Sequence, residues 1–153
     1  MPVSHVMSSR LVSVTPEATV KEAVELMVAR GVGCVVVTDA ERLAGIFTER
    51  DVLRLVAEGA KLGQTIIADV MTRDVISVMP EDDPVDVAHL MSAKRIRHVP
   101  VAHDGHALGM VGIRDLLGLL LERAYGRQDT DARDTARDLL GRSPLSSAAP
   151  PGA

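Results

Sequence analysis

Two Arg-Asp pairs, Arg50-Asp51 and Arg114-Asp115, each open a leucine-rich run that reads as a helix. Thr48 precedes the first pair in a Thr-x-x-Asp spacing. Where a strand turns into a helix, free backbone N–H groups and the positive end of the helix dipole form a seat for a phosphate. Thr48 would there contact a phosphate, and Asp51 the hydroxyls of a ribose. The same residues also spell a capping box, in which Thr48 caps the helix and Asp51 bonds back to its backbone. On the residues alone both readings stand. In the second copy Gly112 takes the place of Thr48, so Asp115 lacks a hydroxyl partner, although glycine permits close approach of its N–H to an anion.

A second group is basic: Lys94, Arg95, Arg97 and His98, leading into the apolar run Val99-Pro100-Val101. Lys94 and Arg95 read as the cationic end of a helix, complementing its dipole. His103 and His106 flank an Asp-Gly turn with no further ligand in the local sequence and read as solvated. Cys34, the only cysteine, reads as a small core residue. A single cysteine cannot close an intrachain disulfide or build a thiolate zinc cluster, which fits a reducing compartment and leads to the expectation of a cytoplasmic protein. No Gly-x-Ser-x-Gly elbow, P-loop, His-Glu-x-x-His or Gly-x-Gly-x-x-Gly occurs, so catalysis has no support and the expectation is a protein that is not an enzyme and requires no cofactor.

Composition narrows the partners. The 153 residues are 46% hydrophobic and 25% charged, with 17 Lys plus Arg against 21 Asp plus Glu and a formal net charge of -4. A basic excess for phosphate-backbone binding is missing. Phe47 and Tyr125 are the only aromatic residues, which removes the stacking platforms used for single strands. Nucleic acid is therefore not an expected partner, and neither is a membrane, because the longest apolar run, near Leu116 to Leu121, falls far short of the ~20 residues of a span.

The elements that must position these residues come twice. At an offset of ~64 residues Val6-Met7 recurs as Val70-Met71, Ser13-Val14 as Ser77-Val78, Pro16-Glu17 as Pro80-Glu81, Leu26-Met27 as Leu90-Met91, and Gly45 as Gly109. Each unit spells strand, helix, strand, strand, helix. Leu11 to Val14 and Val75 to Val78 read as short first strands closed by Pro16 and Pro80. Thr19 with Glu22 forms a capping box for one helix, while Asp83 with Pro84 opens its copy; Gly31 ends the first. Cys34 to Val37 and Val99 to Val101 read as buried strands. Turns at Thr38 to Arg42 and His103 to His106 lead to third strands at Leu43 to Phe47 and Ala107 to Val111. The last helices are expected from Val52 and Leu116. Residues 2–57 form the first repeat, 58–69 a connector, 70–125 the second repeat, and 126–153 a Pro-, Ser- and Ala-rich tail expected to be disordered, with a transient helix at Asp129 to Leu140.

The stretches Gly45-Ile46-Phe47-Thr48-Glu49-Arg50-Asp51 and Arg97-His98-Val99-Pro100-Val101, within this duplication, resemble a tandem pair of CBS (cystathionine-β-synthase-type) domains. This is the Bateman module, here of the stand-alone bacterial kind, over about Pro2 to Arg123. The resemblance implies an α/β (α+β) fold in which two small sheets pack around a pseudo-two-fold axis and leave two related clefts. It implies a regulatory binding module for an adenine nucleotide (AMP, ADP or ATP) or a related adenosyl ligand, usually associated further into dimers of pairs. It places Thr48, Arg50, Asp51, Arg114 and Asp115 in the clefts and Arg97 and His98 at a cleft lip, against phosphate. It sets Val99 and Pro100 on a strand that frames the adenine, and Val12, Ser13, Ile76 and Ser77 beside the same pocket. For the two serines, hydroxyls that simply face solvent are an equally good reading. The chain is too short to include the catalytic barrel that such pairs regulate in IMP dehydrogenase.

A sensor is the leading expectation: ligand entry alters the angle between repeats, and an effector protein reads the altered surface. The rival is a ligand-free scaffold that dimerises and docks a protein through the apolar helices, and a weaker third option is metal or redox sensing through Cys34 and the histidines. A homodimer is expected because the helices carry more apolar surface than two small sheets can cover. Because Thr48 has no counterpart hydroxyl, the clefts are expected to be unequal, with the Thr48 cleft the tighter if phosphate contacts dominate.

Overall fold

The computed structural model describes residues 1–125; the expected disordered tail and its transient helix lie outside the described residues. After a short 3-10 turn at Val3–His5, the first half runs β1 (Ser13–Val14), α1 (Val20–Arg30), β2 (Cys34–Asp39), β3 (Arg42–Thr48) and α2 (Glu49–Ala57). A one-turn helix α3 (Ile67–Val70) opens the second half, followed by α4 (Pro84–Lys94), β4 (His98–His103), β5 (His106–Gly112) and α5 (Ile113–Tyr125). Local chemistry explains the boundaries. The Thr19 hydroxyl accepts from the Glu22 N–H and the Glu22 carboxylate accepts from the Thr19 N–H, each at 3.1 Å, so α1 begins on a reciprocal capping box. Asp83 caps α4 with Pro84 in its first turn, where the missing proline N–H costs nothing. Both β-hairpins turn on two residues of positive φ, Ala40-Glu41 and Asp104-Gly105, the geometry whose twist matches the flanking strands.

The last helices start three residues ahead of the expected positions, at Glu49 and Ile113; Thr48, the cap of α2, is the last residue of β3. The second repeat departs from the expected pattern at its first strand. In the first repeat β1 pairs in parallel with β2, Ser13 with Val36 and Val14 with Val37, and the Val36 N–H donates to the Val12 carbonyl (3.1 Å). The residue corresponding to Val36 is Pro100, which has no N–H to offer Ile76. The expected strand Val75 to Val78 is accordingly reduced to one bridge, Val78 with Val101.

The strands form one five-stranded sheet in the order β1-β2-β3-β5-β4. Among the described residues the two small sheets expected from the resemblance are joined where Arg42 pairs with His106 and the Leu43 N–H donates to the Gly105 carbonyl at 2.8 Å. The halves obey the two-fold relation closely. The Val3 N–H donates to the Asp82 carbonyl at 2.9 Å, and the equivalent Ile67 N–H donates to the Ala18 carbonyl at 2.8 Å. Ser8 bridges Met110 on β5, and the equivalent Thr72 bridges Ile46 on β3.

The opening segments are thereby exchanged between the halves. Val3, Val6 and Met7 pack into the core of the second repeat with Val87, Met91, Val99, Val101, Val111 and Leu116. Ile67, Val70 and Met71 pack into the core of the first with Val20, Met27, Val35, Val37, Phe47 and Leu55. Helix α3 thus begins within the stretch read as a connector and ends at the first residue of the second repeat. The exchange explains the paired glycines: a Cβ on Gly45 would lie 2.5 Å from Met71 Sδ, and one on Gly109 would lie 2.7 Å from Met7 Sδ, well inside van der Waals contact.

Candidate functional site

The exchanged segments, the ends of β3 and β5, and the first turns of α2 and α5 enclose two cavities. The first, of about 650 Å³, is lined by Thr48, Glu49, Arg50 and Asp51 from the β3–α2 junction. Thr72, Asp74, Val75 and Ile76 come from the segment after α3, and Arg95, Ile96, Arg97 and His98 from the α4–β4 junction. Six of the residues that the resemblance placed at the clefts therefore meet here: Thr48, Arg50, Asp51, Ile76, Arg97 and His98. The absence of a proline N–H matters at this wall, because among the described residues no backbone N–H donates to the Ile76 carbonyl.

Thr48 and Asp51 realise the capping box and line the cavity at once. Asp51 Oδ2 accepts from the Thr48 N–H (2.9 Å) and from the Thr48 hydroxyl (3.1 Å), while the hydroxyl oxygen accepts from the Asp51 N–H (3.4 Å). The one hydroxyl proton of Thr48 is therefore aimed at its own cap partner and not at the cavity. Asp51 Oδ1 lies 3.5 Å from an Arg54 guanidinium nitrogen, and its side chain is only 17% exposed.

The second cavity, of about 1010 Å³, takes Arg10, Leu11 and Val12 from the first opening segment, and Gly112, Ile113, Arg114 and Asp115 from the β5–α5 junction. It shares Gly33, Glu49, Leu53, Arg97 and His98 with the first and extends between α1 and α2 along Val24, Met27, Val28, Val52 and Val56. Among the described residues Asp115 Oδ2 accepts only the Gly112 N–H, at 3.3 Å, and the side chain is exposed. Val12, Arg114 and Asp115 are thus brought together with Arg97 and His98. Ser13, Ser77, Val99 and Pro100 line neither cavity: the serines face solvent, and Val99 and Pro100 are buried in β4.

Two charged lining residues escaped sequence reading. Arg10 and Asp74 occupy equivalent positions under the ~64-residue offset, and each faces a cavity bordered by the other repeat's strand–helix junction. Aligning the repeats for charge differences, beyond identities, would have marked them.

Electrostatics separate the titratable groups at the shared wall. Burial pushes the His98 pKa down, Glu49 and Asp115 push it up, and Arg97 lowers it further; burial is the largest cause. The Cys34 thiol is pushed up to about 12, first by burial and then by Asp51 and Glu49. A thiol held protonated is a poor nucleophile and metal ligand, which counts against redox sensing at Cys34. Among the described residues no three His, Cys, Asp or Glu side chains converge in a way that could hold a metal ion.

Comparison with known proteins gives consistent results. The CBS domain profile matches residues 3–58 and again residues 67–122. A CBS domain-containing protein of Bacillus subtilis, YhcV, is 33% identical over 115 residues, covering 74% of this chain and 81% of its own length. A mitochondrial CBS domain-containing protein of Arabidopsis thaliana, CBSX3, is 39% identical over 109 residues. That match covers 67% of this chain, and the chain spans about half, 53%, of the plant protein. Among solved structures, a CBS domain protein from Pyrobaculum aerophilum complexed with AMP superposes with a TM-score of 0.74 at 30% identity. It covers 81% of this chain and 98% of its own. No described helix is long and apolar enough to cross a membrane.

Proposed function

The chain belongs to the CBS domain family, with two copies of the module in one polypeptide, and from that premise we propose that it is a non-catalytic sensor of an adenine nucleotide or related adenosyl ligand. The observation that carries this reading is the first cavity. It gathers a carboxylate suited to ribose hydroxyls (Asp51) and an open backbone acceptor suited to an adenine amino group (Ile76) around a single space, beside Arg97, which the second cavity shares. The AMP complex of the Pyrobaculum relative supports the ligand class. The clefts form where the two repeats meet, so an occupant bears on both and can alter the surface that an effector protein reads.

Thermal-shift measurement tests the reading. A nucleotide at about 100 times its Kd should add about 2.7 kcal/mol of stability, several degrees for a domain of this size. An unchanged melting temperature with AMP, ADP, ATP and S-adenosylmethionine would favour the ligand-free scaffold. A specific observation bears on self-association too: Val28, Leu53 and Val56, on α1 and α2, are 77%, 71% and 58% exposed. Large apolar side chains grouped this way mark an association face, and the reading includes a homodimer formed there. Light scattering that gives a monomer mass for the parent at micromolar concentration would remove it.

A further inference from the structure

The two cavities carry different charge, and the difference lies in residues that the duplication places at equivalent positions. Arg10 lines the second cavity where Asp74 lines the first. Three arginines (Arg50, Arg95, Arg97) face three carboxylates (Glu49, Asp51, Asp74) in the first, whereas Arg10, Arg97 and Arg114 face only Glu49 and Asp115 in the second. Among the described residues none of Arg10, Arg97 and Arg114 makes a side-chain hydrogen bond or ion pair, so their donors are free for a ligand. Asp74 is equally uncommitted and would repel a polyanion in the smaller space. The group that could compensate, the Thr48 hydroxyl, spends its proton on Asp51.

Resting on the adenosyl reading above, we infer that the cleft of Arg10, Arg114 and Asp115 is the site for the polyphosphate form of the nucleotide, and that the cleft of Thr48, Asp51 and Asp74 takes an adenosyl ligand with little or no negative charge. This order is the reverse of the one expected from Thr48 alone. Arginine serves the second cleft well because its planar fork binds phosphate oxygens bidentately. Asp115, bonded among the described residues only to the Gly112 N–H, keeps acceptor capacity for a ribose.

Isothermal titration of the full chain with adenosine and with ATP, on the parent and on the exchange variants Arg10→Asp and Asp74→Arg, tests the assignment. Both side chains are exposed and unbonded, so unliganded melting temperatures should match the parent and certify folding. The parent should bind ATP at two sites that differ by about tenfold or more. Arg10→Asp should weaken the tighter site by about ten- to a hundredfold, as expected for loss of a charged hydrogen bond, and leave adenosine affinity within threefold. Asp74→Arg should strengthen the weaker ATP site by about tenfold. Adenosine binding together with an ATP affinity that Arg10→Asp leaves unchanged would overturn this assignment and spare the sensor reading. Failure of both adenosine and ATP to bind the parent would overturn both.

Discussion

The first and second repeats share a backbone plan but solve the same junction differently. In the first, Thr48 and Asp51 lock one another through three hydrogen bonds, with Arg54 beside the carboxylate. In the second, Gly112 offers one N–H to Asp115, and Gly118 stands where Arg54 would be. The cores differ in the same sense. Phe47, fully buried, anchors the first, while its equivalent in the second is Val111. Outside, α4 packs along α5, whereas the space between α1 and α2 opens into the second cavity. The first repeat therefore has the more rigid junction and the more open helical face, and the second has the looser junction and the closed face. Duplicated units in a single chain are free to divide tasks that two identical protomers would have to share.

Truncating the core should reveal the largest asymmetry. Phe47→Ala is expected to cost about 3–5 kcal/mol, against about 2 kcal/mol for Val111→Ala, since both transfer and cavity terms grow with the volume removed. Denaturant unfolding of the two variants measures this, and equal losses would show that the Phe47 site collapses around the smaller residue. The junctions come next. Thr48→Ala should cost about 1 kcal/mol through loss of the cap, read as a lower melting temperature. Gly112→Ser should gain a few tenths of a kcal/mol, ~0.3, by supplying one; a Cβ at Gly112 meets Asp115 Oδ2 at an ordinary 3.4 Å. A Gly112→Ser variant less stable than the parent would mean that the glycine serves more than cap geometry.

The smallest expected effect concerns pH. Burial holds the His98 pKa below its ordinary value, so the unfolded chain binds a proton at this residue more readily than the folded one. Stability from this residue is complete above the unfolded value of about 6.5 and is lost as pH falls through the lower folded value. Melting curves between neutral and mildly acid pH should show this slope in the parent, and His98→Gln should flatten it. A phosphate ligand beside His98 favours the imidazolium, so nucleotide binding should be accompanied by proton uptake in the same window, measurable by calorimetry in two buffers of different ionisation enthalpy.

Much of the architecture was legible because its signals are local. The Thr19 and Asp83 caps, the Asp104-Gly105 turn and the apolar runs of β2 and β4 each need only neighbouring residues to be understood. The Thr48-Asp51 pair was legible as both a cap and a cleft wall because a helix N-terminus has the same chemistry in either role. Three features were not. The exchange of opening segments is a long-range choice, and Val3 and Ile67 look the same in sequence whichever core they fill. Arg10 and Asp74 acquire meaning only once those segments cross to the opposite repeat. The loss of the second copy's first strand depends on a hydrogen bond that Pro100 fails to make to a residue far away in sequence, and its apolar composition alone concealed that.

The crossed opening segments also decide in what order this chain can mature. The first core is incomplete until Ile67, Val70 and Met71 have been made, so a ribosome that has released the first repeat has not yet released a foldable unit. The second core awaits a segment synthesised at the very start. The contacts of Val3, Val6 and Met7 span about 71 to 113 residues and those of Ile67, Val70 and Met71 about 12 to 51, so the second core above all requires closure of a large loop before any reward, which slows folding. Neither half can then act as an autonomous folding domain, and a cut anywhere between them takes from each a piece of its own interior.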